Sequence, residues 1–208
     1  MEWSDFFLGM YDNRPVDLIL LEAVAFIFGL WSVHLARREH IGVYPTGLLA
    51  TTITVYLFWT DRLIGDMLMN AYYSLMSIYG WWQWSRIKAG KRLVRISRMS
   101  AKQYYITLAL ILLTMLLTYI VYTFFNVTLD WTNYIDIFTS GLFFTAMWLM
   151  AIKKIENWTL WIIADIISVP LYAYRSWGML SLQYLIFTYM AVMAYREWKT
   201  SLYNKLAQ

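Results

Sequence analysis

The chain has 208 residues, 61% of them apolar and 14% charged, with a mean hydropathy of +0.49. Average soluble domains are about 45–50% apolar and about 25% charged. Thirteen acids and 17 bases are too few to cover a soluble globule of this length, which excludes a water-soluble enzyme, a disulfide scaffold and a disordered chain. With no cysteine there is also no thiolate nucleophile and no Cys-based metal site.

An α-helical span needs about 20 mostly apolar residues. In chain order, an acidic and aromatic segment over 1–15 lacks the basic start of a cleavable signal peptide. Spans are predicted at 16–36, 41–60 and 66–85, followed by a basic loop over 86–102. A charge-free span at 103–125 comes next, then spans at 132–152, 157–174 and 179–197, and a tail over 199–208. The predicted fold class is an all-α membrane protein with seven transmembrane helices.

The bases set the orientation. Arg14, Arg62 and Arg175 fall on one side, and the other 14 Lys and Arg on the other. By the positive-inside rule the N-terminus lies outside and the C-terminus inside, which requires an odd number of spans. The 86–102 loop reads as an anchor against anionic lipid rather than a nucleic-acid site.

Shifting the chain by 114 residues superposes spans on spans and loops on loops. Leu35, Ile41, Ala50, Ile53, Val55, Leu57, Leu68, Met76 and Trp84 then meet identical residues, ending at Trp198, and Glu22 meets Asp136. Two three-helix units, 16–85 and 132–198, are thus expected around a linker helix at 103–125. Three spans plus one return the chain to the starting side, so the repeat is parallel, of 3+1+3 type. Parallel repeats are a transporter architecture with the substrate near midplane, although a structural protein can also carry such a duplication.

Candidate site residues follow from this frame. Trp158, Trp161 and Asp165 are spaced i, i+3, i+7 and share one helical face, next to Asn157. Indole faces stack on flat rings and attract cations, and a carboxylate at that depth either pairs with a cation or stays protonated. The alternative is an interfacial Trp belt and an Asp satisfied by a neighbouring helix. Asn70 and Tyr73 in the third span, Asp136 in the fifth, and Gln183, Tyr184 and Thr188 in the seventh are further candidates. Each can equally be an interhelical hydrogen bond. Pro45, Gly47 and Pro170 interrupt corresponding helices, as a bending bundle requires. No phosphate loop, nucleophile elbow or metal cluster appears, so neither an enzyme nor a cofactor is expected. His34 and His40 lack ligand partners at useful spacing.

Glu156-Asn157-Trp158 with Trp161, the run Ile78-Tyr79-Gly80-Trp81-Trp82-Gln83-Trp84, and Leu21-Glu22-Ala23-Val24 together resemble the PnuC family of bacterial vitamin-precursor transporters. The resemblance spans about residues 18–198. It implies a seven-helix, SWEET-like 3+1+3 fold in the bacterial cytoplasmic membrane. It further implies facilitated diffusion of nicotinamide riboside, trapped inside by a separate kinase, with thiamine or riboflavin carried by relatives. On that resemblance, Trp158 and Trp161 belong to the substrate site and Asn70 takes the third-helix amide position. Two departures stand out: Asp165 where an asparagine is expected, and Asn70 in place of a glutamine. A carboxylate suits a ring with a fixed positive charge, which nicotinamide riboside and thiamine both have. A substrate-capture subunit and a sugar carrier remain alternatives, and the oligomeric state is open, a homo-oligomer included.

Overall fold

The computed structural model describes residues 6–7, 9–12, 14–61, 64–88, 91–126 and 128–206. Among them are seven long helices: α1 (Val16–Arg37), α2 (Val43–Thr60), α3 (Ile64–Ser85), α4 (Ala101–Phe124), α5 (Trp131–Ala151), α6 (Glu156–Tyr174) and α7 (Gly178–Leu206). A two-stranded hairpin, β1 (Ile87–Lys88) and β2 (Lys91–Arg92), sits between α3 and α4. Arg62, counted above for orientation, lies outside the described residues, as do 1–5 and 207–208. The starts of α1, α3, α5 and α7 define one end of the bundle, here the N-face. Their far ends define the C-face.

Four helices, α1, α4, α5 and α7, are long and apolar enough to cross a membrane on their own composition. α2, α3 and α6 carry more polar groups, and in α2 the chain satisfies these internally. Thr46, Thr51 and Thr54 donate to the carbonyls of Gly42, Gly47 and Ala50 at 2.7, 3.0 and 2.9 Å. In lipid every polar group must find such a partner.

Local sequence explains the helix ends. Asp130 caps α5 by accepting from the Thr132 and Asn133 amides at 2.8 and 3.1 Å, and the Asn133 side chain accepts from the Asp130 amide at 2.9 Å. α1, α5 and α6 end alike. Glu39, Lys153 and Ser176 take φ of 54°, 52° and 60°. The amides of these residues and of the next ones bond back to α1, α5 and α6 in the Schellman pattern. Glu39 and Lys153 stand 114 apart and have matching geometry, with no glycine at the positive-φ position of either.

The structure adds detail to two segments. The tail over 199–208 is not separate, because α7 continues through it to Leu206. No Gly or Pro interrupts the run, and Arg37 pairs with Glu197 at 2.8 Å beside it. The basic loop is also docked onto the protein. Ser97 exchanges backbone bonds of 3.1 Å with Lys153 and Ile155, Lys154 Nζ donates to Ser97 Oγ at 2.9 Å, and Ile96 is buried in the core.

Consecutive helices pack within α1–α3 and within α5–α7, while α1 meets α7 and α3 meets α5 crosswise. α4 leans on α5, where Gly141 lets it approach closely: a methyl there would meet the Ile111 carbonyl at 3.0 Å. The main core lies at the C-face around Tyr44, Trp84, Trp158 and Trp198.

Candidate substrate site

α6 has 19 residues, and Asp165 is the middle one. One turn before it stands Trp161, and one turn before that Trp158 and Asn157. These residues, with Ala164, Ser168 and Leu171, make up the face of α6 turned into the protein. Asp165 is 2% exposed and has neither a hydrogen bond nor an ion pair among the described residues. Trp158 and Trp161 each bury an indole N–H without an acceptor, and Asn157 and Thr145 each bury an oxygen without a donor. Leaving such groups unpaired costs about 1–3 kcal/mol apiece. The same chain ties off the threonine hydroxyls of α2, so the concentration of open donors and acceptors along α6 marks this face as a place for a polar ligand.

Trp161 lies among rings. Its centroid is 6.3 Å from Tyr73 of α3 and 5.4 Å from Phe143 of α5. From Phe143 the rings continue toward the N-face: Tyr184 at 5.9 Å, then Tyr172 at 5.1 Å and nearly parallel, then Trp177 at 5.8 Å. The result is a file of aromatic faces from the loop after α6 to the middle of the bundle. A flat cationic ring has a favourable surface all along it.

The sequence candidates divide. Trp161, Tyr73 and Tyr184 come together in this cluster, with Asn157, Trp158 and Asp165 on the same face of α6. Trp158 is no interfacial belt residue, being 2% exposed and edge-on to Trp198 at 5.4 Å. Asn70 lies one turn from Tyr73 on α3, with its carbonyl bonded by Ser74. Gln183 is half-buried, and the Thr188 hydroxyl donates to the Tyr184 carbonyl at 2.8 Å. Asp136 sits apart from the cluster near the N-face, where Arg175 Nη2 holds it at 2.6 Å. Phe143, Tyr172 and Thr145 were not anticipated.

One described cavity, of about 190 Å³, lies between α3, α4 and α5, lined by Leu68, Met69, Leu117, Val121, Phe144 and neighbours. It is apolar and contains none of the open polar atoms. The open polar atoms of Trp158, Trp161 and Asn157 lie instead along the α6 face. Met69 touches both regions. Among the described residues no group of His, Cys, Asp and Glu can hold a metal.

The motif Gly80-x-x-x-Trp84 proves to be architectural. Gly80 admits the Tyr44 ring against the α3 backbone, and Trp84 Nε1 donates to the Ala151 carbonyl at 3.1 Å.

A family model described as nicotinamide mononucleotide transporter matches residues 19–200. The chain belongs to this family. It is a multi-pass membrane transporter and not an enzyme. The nicotinamide riboside transporter PnuC of Escherichia coli (strain K12) is 27% identical over 208 residues, covering 89% of this chain and 87% of that protein. The riboflavin/roseoflavin transporter RibM of Streptomyces davaonensis is 24% identical over 186 residues, covering 87% and 85%. A crystal structure of the vitamin B3 transporter PnuC superposes with a TM-score of 0.67 at 22% identity, covering 95% of this chain and 89% of that one. The helical fold is thus shared with that carrier.

Proposed function

We propose that the chain carries a flat aromatic cation, nicotinamide riboside, across the bacterial cytoplasmic membrane by facilitated diffusion. The observation that carries this reading is Asp165, an unpaired carboxyl at the middle of α6, one turn from the ring cluster of Trp161, Tyr73 and Phe143. The rings take the faces of the heterocycle, and the carboxyl answers its positive charge. Trp158, Asn157, Asn70, Gln183, Tyr184 and Thr188 supply edge contacts around it. Asp136, already paired, orders the entrance. The PnuC relatives support the choice of riboside over other cations.

The units 16–85 and 132–198 move against each other about the linker helix in a SWEET-like 3+1+3 arrangement of seven crossings, N-terminus outside. The parallel repeat and the uneven distribution of bases support this. Inside the cell a separate kinase adds a phosphate. The product is an anion, which the acidic site rejects, and it stays trapped.

Thiamine is the second reading, favoured by Asp165 itself, because an aminopyrimidine and a thiazolium both suit a carboxylate. Uptake of each vitamin into liposomes holding only this protein separates the readings. Accumulation of riboside to the outside concentration, outcompeting thiamine, is expected. Preferred uptake of thiamine selects the second reading, and uptake of neither overturns both.

A further inference from the structure

We propose that Tyr72 is a positioning residue of the carrier: by clasping Phe144 it keeps the rings beside Trp161 at the spacing that admits one flat cargo. The inference rests on the transport reading above and adds the residues that set the geometry of its ring cluster.

Tyr72 and Tyr73 are neighbours on α3 with different partners. Tyr73 reaches Trp161 of α6, ring centroids 6.3 Å apart. Tyr72 lies flat on Phe144 of α5, with centroids 3.9 Å apart and planes 9° from parallel. Its hydroxyl also donates to the Phe144 carbonyl at 3.0 Å. The stack holds the ring of Phe144 and the hydrogen bond holds its backbone, so Tyr72 grips one residue at two points.

That grip bears on the site by two routes. The Tyr73 ring is 5.9 Å from Tyr72, edge-on, and 5.9 Å from Phe144. Phe144 is also the chain neighbour of Phe143, whose ring stands 5.4 Å from Trp161. One clasp between α3 and α5 therefore governs two rings beside Trp161, Tyr73 by ring contact and Phe143 through the shared backbone of α5.

The cavity of about 190 Å³ between α3, α4 and α5 makes the clasp necessary. Phe144 lines it, with Thr118 and Leu117 on the α4 wall. Close packing is what keeps a core side chain in one rotamer, and neither a cavity nor fluid lipid beyond it does so. On that flank Tyr72 supplies the restraint. Without it the Phe144 ring can turn into the cavity, and Tyr73 loses its backing. Aromatic faces grip a flat ring only at contact distance. The spacing therefore selects a single planar ring over thiamine, whose two rings are joined by a methylene and do not share a plane.

The test is the affinity of the purified full chain for nicotinamide riboside and for thiamine, read by tryptophan quenching. Tyr72→Phe keeps the stack and loses only the hydrogen bond, and should bind riboside within about threefold of the parent. Tyr72→Ala frees Phe144, and should bind riboside about tenfold more weakly while losing less for thiamine. Thr118→Leu fills the space into which Phe144 would turn. Added to Tyr72→Ala, it should recover most of the riboside affinity. Parent-like riboside binding by Tyr72→Ala overturns the proposal. So does a loss equal for both vitamins, or one that Thr118→Leu does not repair, because Tyr72 then acts by general destabilisation or direct contact and not through Phe144. If Tyr72→Ala does not fold, Tyr72→Leu, which keeps bulk without the flat face or hydroxyl, is measured in its place with the same outcomes. A parent chain that binds neither vitamin overturns the transport reading, and the positioning role with it.

Discussion

The two ends of the bundle solve the same problem differently. At the C-face, the ion pairs among the described residues cross between α1–α3 and α5–α7. Lys153 Nζ meets Glu39 Oε2 at 3.0 Å, and Arg37 meets Glu197 at 2.8 Å. At the N-face they stay inside one set: Arg14 with Glu22 and Asp61 at 3.8 and 2.8 Å, Arg175 with Asp136 at 2.6 Å. The indoles follow the crossing pattern at the C-face. Trp84 Nε1 bonds to the end of α5, and its counterpart Trp198 to the end of α1, at the Ala36 and Arg37 carbonyls, each at 3.1 Å. The C-face is stapled between the two sets, and the N-face is braced within each. In the proposed rocking of the two sets, the C-face contacts are the ones that would have to part for cargo to leave, while the N-face pairs, each inside one set, could stay closed.

The comparison also explains Arg14. Positions 61 and 175 stand 114 apart, the spacing of the proposed repeat, and carry opposite charge. In the second set Arg175 answers Asp136 directly. In the first, Asp61 faces the same way as Glu22, and Arg14 from the N-terminal segment bridges the two acids.

The largest expected effect comes from the indoles. Trp84→Ala and Trp198→Ala should each destabilise the solubilised protein by about 3–5 kcal/mol, and by similar amounts, read as a loss of melting temperature. Strong inequality between them would break the symmetry of the two staples. Next comes Lys153, 1% exposed and 4.0 Å from the Trp84 ring centroid. Lys153→Glu sets two acids together and should cost about 3–5 kcal/mol, as expected for breaking a buried pair. Adding Glu39→Lys should recover a large part of it, measured as a double-mutant cycle. No recovery would show that Lys153 acts through packing alone.

On the N-face the effects shrink. Arg14→Ala should cost at most about 1 kcal/mol. In an Asp61→Arg background it should cost nothing, because position 61 then resembles Arg175. A full Arg14 effect there would contradict the equivalence. The smallest effect belongs to Asp130 at the start of α5. Its carboxylate is held below the ordinary aspartate range by hydrogen bonds from the Thr132 hydroxyl and the Asn133 amide. That contribution is present at neutral pH and is lost as pH falls through the depressed value. Asp130→Asn should therefore flatten the acid side of a stability profile, most visibly below about pH 4.

Much of this fold is legible in the sequence, since a lipid-spanning helix must be about 20 apolar residues long wherever it occurs. The span predicted at 16–36 is found as Val16–Arg37 and that at 132–152 as Trp131–Ala151. The candidate site is legible only where a residue is chemically unusual. Asp165 and Trp161 stand out in an apolar helix, whereas Phe143 does not. A phenylalanine facing lipid and one facing a ligand look the same when both surroundings are apolar. The Glu39–Lys153 staple is hidden for another reason. Helix ends at positive φ favour glycine, and Glu39 and Lys153 hold those positions instead, so the matching geometry leaves no mark in composition. The docking of the basic loop is hidden because Ser97 and Met99 bind through backbone amides, which sequence does not display.

The central claim is that cargo is held at the ring cluster of α6, between the stapled and the braced ends. Its most direct test is the affinity of purified Trp161→Ala for nicotinamide riboside, followed by quenching of the remaining tryptophans. A loss of tenfold or more is predicted, corresponding to at least about 1.4 kcal/mol of stacking. An affinity equal to that of the parent protein would place the cargo elsewhere and contradict the account.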